Sequence, residues 1–575
     1  MKSSPFRDVK DARNVAETRE KPISASAADW WRGAVLYQVY PRSFADHNGD
    51  GVGDLPGIIE RLPYIAGLGV DAVWISPFFK SPMKDFGYDV EDYRDVDPLF
   101  GTLADFDRLI ERAHALSLKV MIDQVVSHTA DTHAWFQESR ASRDNPRADW
   151  YVWADAQPDG SPPNNWLSVF GGSSWQWDTR RRQYYLHNFL AAQPDLNFHN
   201  PAVRAAVLSD IRFWLDRGVD GFRFDTTNYY FHDASLRSND PLPPDANRAP
   251  AHNPYDLQAH VHDKNRPENV LFLEEVRTLL DEYGAASVGE VGDADALATM
   301  LAYTAGDRRL HMTYSFSMLS PDASVAHLRR QVEQFEAAAA EPGQGGWACW
   351  TIGNHDAERV LTRWKGTDAP ESFVRVMLTM LVSLRGSVCW YQGDELALVQ
   401  ADLPFEALVD PPGIAFWPEY KGRDGCRTPI PWEADAPHAG FSGGLDVKPW
   451  LPVVDAHRPR AVDASEADPR APLHYMRALL PWRRSFPALV KGGIRFLDAP
   501  EPVMALVREA PLRKLSPSLL IVLNLGTEPL RISLDDAPAS VAMHVPGLPD
   551  AQRARRAGAH FSLPPHGIYF GALEA

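Results

Sequence analysis

The chain has 575 residues, too many for a single small core and enough for a large domain with one or two smaller ones. Apolar residues make up 45% and charged residues 23%, ordinary values for a globular protein. The balance of 58 Lys and Arg against 76 Asp and Glu leaves a net charge of −18, which argues against nucleic acid and anionic membranes as partners and suits a neutral substrate.

Residues 1–28 read as a polar leader of a composition that can stay disordered, with no apolar core of a secretory signal. Then short apolar runs alternate with helix-like segments. The run "AVLYQVYPRSF" reads as a strand, followed by a helix over "DLPGIIERLPYIAGLG" with Asp54 as its N-cap. "VDAVWISPF" is a second strand, and "TLADFDRLIERAHALS" a helix capped by Thr102. "LKVMIDQVVSH" is a third strand and "VDGFRFD" a fourth, with a helix between them that has Pro201 in its first turn. "ASVGEVG", "LHMTYSF", "ACWTIGNHD" and "SVCWYQGDE" complete eight strand candidates, each followed by a helical pattern. Their apolar character is nearly continuous, as parallel strands buried on both faces require. Eight such units predict a TIM (β/α)8 barrel over residues 29–128 and 201–486.

Three long segments interrupt this rhythm. Residues 129–200 are rich in Trp, Asn, Pro and Gly and read as a small inserted domain after the third strand. Residues 230–267 and 393–465 follow the fourth and eighth strands. All three follow C-terminal strand ends, where barrel active sites are built. From residue 487 to 575 the pattern changes to short alternating runs, which predict a C-terminal antiparallel β-sandwich. Three cysteines, two of them in apolar runs, are no disulfide framework; with no run of about 18 apolar residues, they point to a reducing, cytoplasmic setting.

Polar residues stand where the strands stop: Asp123 and His128 after the third, Arg223 and Asp225 after the fourth, Glu290 after the fifth, His355 and Asp356 after the seventh. In a barrel these ends converge on one face. Glycoside cleavage uses such a set: one ionised carboxylate to attack the anomeric carbon and one protonated carboxyl to release the leaving oxygen. Their environments must hold their pKa values apart. Side chains at i and i+2 of a strand share a face, so Arg223 and Asp225 both face the pocket, where the guanidinium favours the ionised carboxylate.

"DQVVSH" at 123–128, "GFRFD" at 221–225, "VGE" at 288–290 and "NHD" at 354–356 resemble, in order, the four signature regions of glycoside hydrolase family 13, the α-amylase family. "GDLPGI", "QPDLN" and "QGDE" resemble its accessory segments. The resemblance runs from about residue 30 to the C-terminus. It implies Asp225 as nucleophile, Glu290 as general acid/base and Asp356 as the carboxylate that holds the sugar's 2- and 3-hydroxyls. Arg223, His128 and His355 then line the subsite of the cleaved glucose. Retention by double displacement goes with two carboxyls about 5–5.5 Å apart. "DFGYDVEDY" and "KGRDGCRTPIPW" resemble the exo-acting α-glucosidase branch. They imply Tyr88 as a stacking platform and an Asp85–Arg423 bridge that walls off the pocket beyond the terminal glucose.

"DHNGDGVGD" at 46–54 places oxygen ligands at alternate positions, Asp46, Asn48, Asp50 and Asp54, with Gly51 at the turn, like the front half of an EF-hand loop. It resembles the Ca²⁺ loop of the oligo-glucosidase branch, where Val52 adds its backbone carbonyl, and implies structural Ca²⁺ or Mg²⁺ with no organic cofactor. Ser127 stands where the family usually has the Asn that helps bind a second calcium, which argues against that site here. Thr226 follows the nucleophile, a position where the branch carries Val with α-1,6 substrates and Ala or Thr with α-1,4. The expectation is therefore a retaining exo-α-glucosidase for maltose, aryl glucosides and other short α-glucosides, with transglucosylation, as monomer or homodimer. A sucrose- or trehalose-acting isomerase and an α-1,6 oligo-glucosidase of the same family remain as alternatives. A catalytically dead binding subunit would lack the carboxylates.

Overall fold

In the computed structural model the structure describes residues 29–244, 251, 253–444, 446–512 and 516–574; the polar leader lies outside them. Eight strands form one parallel sheet: β1 Val35–Val39, β2 Ala72–Ile75, β3 Lys119–Gln124, β4 Gly221–Phe224, β5 Ala286–Val291, β6 Met312–Ser315, β7 Cys349–Thr351 and β8 Ser387–Tyr391. Their order is β6-β5-β4-β3-β2-β1-β8-β7. A parallel bridge from Thr313 to Ala348 joins the two ends, so the sheet closes. The eight strands are those read from the sequence.

One helix follows each strand: α1 Leu55–Gly67, α2 Leu103–Ala115, α3 Pro201–Asp216, α4 Asn269–Tyr283, α5 Ala296–Thr304, α6 Val325–Ala339, α7 Pro370–Ser383 and α8 Pro472–Arg484. Their starts obey local chemistry. The Asp54 side chain accepts from the Gly57 amide to cap α1, and Thr102 and Asp105 form a reciprocal capping box on α2. Pro201 sits in the first turn of α3, where its missing N–H costs nothing.

Strand parity divides the core in two. Val35, Tyr37, Val73, Ile75, Val120, Ile122, Phe222 and Phe224 point outward and pack with the helices. Leu36, Trp74, Met121, Val288, Met312 and Tyr314 point inward and fill the barrel with Cys349 and Cys389. Arg223 has the inward parity and pairs in register with Asp123 on β3 and Val288 on β5; Glu290 pairs with Tyr314 on β6. The inward parity thus carries apolar side chains up the barrel and ends in charge at the C-terminal mouth.

Between β3 and α3, strands Trp153–Ala154, Gln183–Leu186 and Trp175–Asp178 make a small antiparallel sheet over a cluster of Trp166, Trp175 and Leu186. Beyond α8, strands β9 Gly493–Phe496, β10 Val503–Glu509, β11 Leu519–Asn524, β12 Leu530–Ser533, β13 Ser540–Ala542, β14 Arg555–Ala557, β15 His560–Leu563 and β16 Ile568–Leu573 form two antiparallel sheets, β9-β10-β11-β16-β13 and β12-β15-β14. Val503, Leu520, Val522 and Tyr569 of the first sheet share a core with Phe561 and Leu563 of the second. Among the described residues, no helix is long and apolar enough to cross a membrane.

Candidate active site

A cavity of about 150 Å³ opens at the C-terminal ends of the strands. That is well below the roughly 300 Å³ at which drug-sized ligand pockets begin, so it suits one small ring. Its polar lining is Asp85, Tyr88, His128, Asp225, Thr226, Glu290, Asp356 and Arg423, and its apolar rim is Val169, Phe170, Phe189 and Phe316. Eight of the ten catalytic and sugar-binding side chains expected from the sequence line it. The other two, Arg223 and His355, are buried directly behind them.

Arg223 is the hub. One guanidinium nitrogen donates to Asp225 at 2.6 Å and Asp123 at 2.8 Å; the other donates to Glu290 and to the Tyr314 hydroxyl at 3.0 Å. The sequence reading gives Arg223 to Asp225 alone. The structure divides it among three carboxylates, because β3, β4 and β5 are neighbours in register. Burial pushes both the Asp225 and the Glu290 carboxyl up to about 7, against the pull of Arg223. Two coupled carboxyls at the same level share protons as a pair, so near neutrality the site holds one ionised and one protonated group. Burial and Arg223 act on both carboxyls alike, so neither sets the two apart. Thr227, next to Thr226, has a role the sequence did not suggest: its hydroxyl donates to the Glu290 carbonyl at 2.6 Å and fixes that strand end beside β4.

Asp356 is different. Burial opposes its charge, but the Arg423, Arg427 and Arg223 guanidiniums outweigh burial and hold its carboxyl well below the usual carboxylate range. Arg427 donates to it at 2.8 Å and Arg423 at 3.2 Å. Arg423 also reaches Asp85 at 3.2 Å and Asp410 at 2.6 Å. Arg423 therefore spans the pocket end from Asp85 to Asp356, braced from behind by Asp410. Burial pushes Asp85 up to about 6 despite Arg423, and Gln193 donates to its other oxygen at 3.1 Å.

Tyr88 stacks flat on the His355 ring, with centroids 5.5 Å apart, and its hydroxyl lies 2.5 Å from His355 Nε2. Burial lowers His355 well below its usual value and His128 to about 4, so both imidazoles are neutral. Asn253 of the 230–267 segment donates to the Val169 carbonyl of the inserted segment at 2.7 Å, and Tyr229, just before that segment, lies edge-on to Phe189 at 5.4 Å.

Residues 38–492 match the α-amylase catalytic-domain family. The chain belongs to the α-amylase family and is a glycoside hydrolase. A probable α-glucosidase of Rhizobium meliloti strain 1021 is 57% identical over 487 residues, covering 84% of this chain and 87% of the relative. The crystal structure of the α-glucosyl transfer enzyme XgtA superposes with a TM-score of 0.90 at 55% identity, over 95% of this chain and 99% of that one. The trehalulose synthase MutB of Pseudomonas mesoacidophila MX-45 superposes with a TM-score of 0.82 at 33% identity, over 95% and 99% of the two chains.

In this α-amylase-family chain several site residues escaped the sequence. Asp410 and Arg427 lie in the irregular 393–465 segment, where no periodicity marks them. Tyr314 lies in the strand run "LHMTYSF", where nothing marks it as a partner of Glu290. Two of the rim phenylalanines come from the inserted segment and Phe316 from the end of β6, and only the fold unites them.

The 46–54 loop is held by its own side chains. Asp46 accepts from the Gly49 and Gly51 amides at 2.7 and 2.8 Å; Asn48 accepts from Asp50, and Asp50 from Val52. Asp54 accepts from Asn48 and Gly57. Burial raises the Asp54 carboxyl, and the charge of Asp46 adds to the rise. Among the described residues no three His, Cys, Asp or Glu side chains gather closely enough to hold a metal ion. The hard oxygen donors of Asp46, Asn48, Asp50 and Asp54, with the Val52 carbonyl, nevertheless fit Ca²⁺ or Mg²⁺ by type.

Proposed function

We propose that this chain is a retaining exo-α-glucosidase that removes terminal glucose from short α-glucosides and also transfers it to other hydroxyls. The observation that carries this reading is the Asp85–Arg423–Asp356 network closing one end of a one-ring cavity that has Asp225 and Glu290 on its wall. Sugar hydroxyls at the closed end meet a fixed charge on every side, so a longer chain has no room beyond the terminal ring.

The Asp225 carboxylate attacks the anomeric carbon while Glu290 gives its proton to the leaving oxygen. Asp225 then carries the glucosyl group, and Glu290, now ionised, takes a proton from water or from an acceptor hydroxyl that displaces Asp225. Asp356, ionised across the working range, accepts from the 2- and 3-hydroxyls. Tyr88, held flat by His355, offers a face to the ring. Thr226 favours α-1,4 linkages.

Asp225→Asn replaces the attacking oxygen with a poor nucleophile, and turnover of maltose and p-nitrophenyl α-glucoside falls by at least about 10³-fold. Activity near wild type overturns the assignment. Product analysis on sucrose tests the isomerase reading, which the likeness to a trehalulose synthase supports. Glucose and fructose as products favour hydrolysis; a rearranged disaccharide favours isomerisation.

We also place a structural Ca²⁺ or Mg²⁺ on Asp46, Asn48, Asp50, Asp54 and the Val52 carbonyl. It would neutralise two buried carboxylates and takes no part in the chemistry. Adding Ca²⁺ to chelator-treated protein should raise Tm, and Asp50→Ala should abolish that rise. The three cysteines are free and buried, which supports a reducing, cytoplasmic setting.

A further inference from the structure

The sequence reading treats Ser127 as a departure in the first signature region and Thr226 as a linkage selector after the nucleophile, with nothing to connect them. The fold brings them together. Ser127 Oγ lies 2.9 Å from Thr226 Oγ1 and 2.9 Å from His128 Nδ1. His128 Nε2 lies 2.9 Å from the Tyr88 carbonyl. Ser127 and His128 are 1% exposed and Thr226 8%, so water does not arrange these bonds.

The direction of each bond follows from donor chemistry. A carbonyl oxygen only accepts, so His128 Nε2 carries the hydrogen toward Tyr88; Gln193 Nε2, 3.2 Å from the same nitrogen, gives its two hydrogens to Asp85 and the Tyr88 carbonyl. The imidazole is neutral, so its Nδ1 is an acceptor. Ser127 has one hydrogen and must give it to Nδ1. The Ser127 oxygen can then only accept from Thr226, whose single hydrogen is thereby spent. Toward the cavity, Thr226 Oγ1 is left with lone pairs alone.

Thr226 also has φ of +45°, a left-handed backbone that β-branched residues rarely adopt. Its side chain is therefore aimed by a constrained backbone and held by Ser127.

We propose that Ser127 is a positioning residue for specificity: by taking the Thr226 hydrogen and passing its own to His128, it fixes the Thr226 hydroxyl as an acceptor on the leaving-group side of the cavity. This rests on the exo-glucosidase reading above. An acceptor-only oxygen in the wall of the cavity that Glu290 also lines favours a leaving group that carries its own hydroxyl hydrogens, such as a second sugar. It does nothing for a p-nitrophenyl leaving group, which has none.

The test is a double-mutant cycle on kcat/KM for maltose and p-nitrophenyl α-glucoside. Ser127→Ala should lower the ratio of kcat/KM for maltose to that for the aryl glucoside by about 5–10-fold, the scale of one lost hydrogen bond, beyond any loss through His128 that the two substrates share. Thr226→Ala should do the same, and the double variant should be no worse than the more affected single. Thr226→Ser should keep the wild-type ratio.

Equal loss on both substrates, or losses that multiply in the double variant, would overturn the relay. If Ser127→Ala does not fold, Ser127→Cys serves, because a thiol is a weak donor. An Asp225→Asn variant that retains turnover sinks the parent reading instead, so the two failures are distinguishable.

Discussion

Arg223 has no solvent contact and touches three carboxylates. A cation so placed cannot tune one partner without the others. What distinguishes Glu290 from Asp225 is therefore the third group at its carboxylate, the Tyr314 hydroxyl, which donates to Glu290 at 2.6 Å. That bond favours the ionised form and lowers the Glu290 carboxyl against the larger effect of burial. Tyr314→Phe removes the donor and keeps the ring, so the Glu290 carboxyl rises. The alkaline limb of the kcat/KM–pH profile reports loss of the catalytic proton. It should move to higher pH by about 0.5–1 unit, with the acid limb moving less. A limb that moves down, or does not move while kcat falls, would show that Tyr314 acts through packing alone. The wild-type profile itself should be a bell around neutrality, because Asp225 and Glu290 both stand at about 7 and share protons.

Elements carry that chemistry to one place, and here the sequence was most informative. All eight strands, the caps Asp54 and Thr102, and Pro201 in the first turn follow from local rules that the fold has no reason to override. The i, i+2 parity of Arg223 and Asp225 follows from strand geometry, and so does their place at the mouth once the barrel is recognised. Partnership between strands is another matter. Nothing near residue 290 signals that Tyr314 lies beside Glu290; the register of β5 against β6 decides it. Asp410 and Arg427 sit in a segment with no period, and only the folded loop shows that Asp410 braces Arg423. The caps give a direct test at this scale. Thr102 and Asp105 satisfy each other's backbone amides at the start of α2. Thr102→Ala should cost about 1 kcal/mol, read as a lower Tm with kcat/KM unchanged, since α2 supplies none of the residues that line the cavity. Glu501 gives a comparable prediction between elements. Its carboxylate accepts from the Val325 and Ala326 amides at the start of α6 from the turn before β10. Glu501→Ala should lower Tm by a similar amount.

For the molecule as a whole, burial of titratable groups sets how stability depends on pH. His128, His133 and His457 are lowered to about 4 and His232 to about 3, all by burial first. Unfolded imidazoles take protons near 6.5, so below that pH the unfolded chain binds protons that the folded chain refuses. This stability is full above 6.5 and is lost as pH falls toward 4. The buried carboxyls run the other way. Asp85, Asp123 and Asp210 are raised to about 6, Asp225, Glu290 and Asp394 to about 7, and Asp195 to about 8, again by burial first. Unfolded carboxyls lose their protons near 4, while the folded ones keep theirs until 6 to 8. Their contribution therefore declines as pH rises from 4 to 8 and is level above. Between 4 and 6.5 the two sets oppose each other. The seven carboxyls outnumber the four imidazoles, and above 6.5 only the carboxyls still titrate, so Tm should fall from about pH 5 to 6.5 and go on falling to 8. A Tm that rises across 6.5 to 8 contradicts this account. Asp195, whose carboxyl meets Asn188 Nδ2 and backbone amide in the inserted segment, isolates one part of it. Asp195→Asn supplies a neutral group of the same shape, so its Tm should fall less steeply over that window than the wild type's.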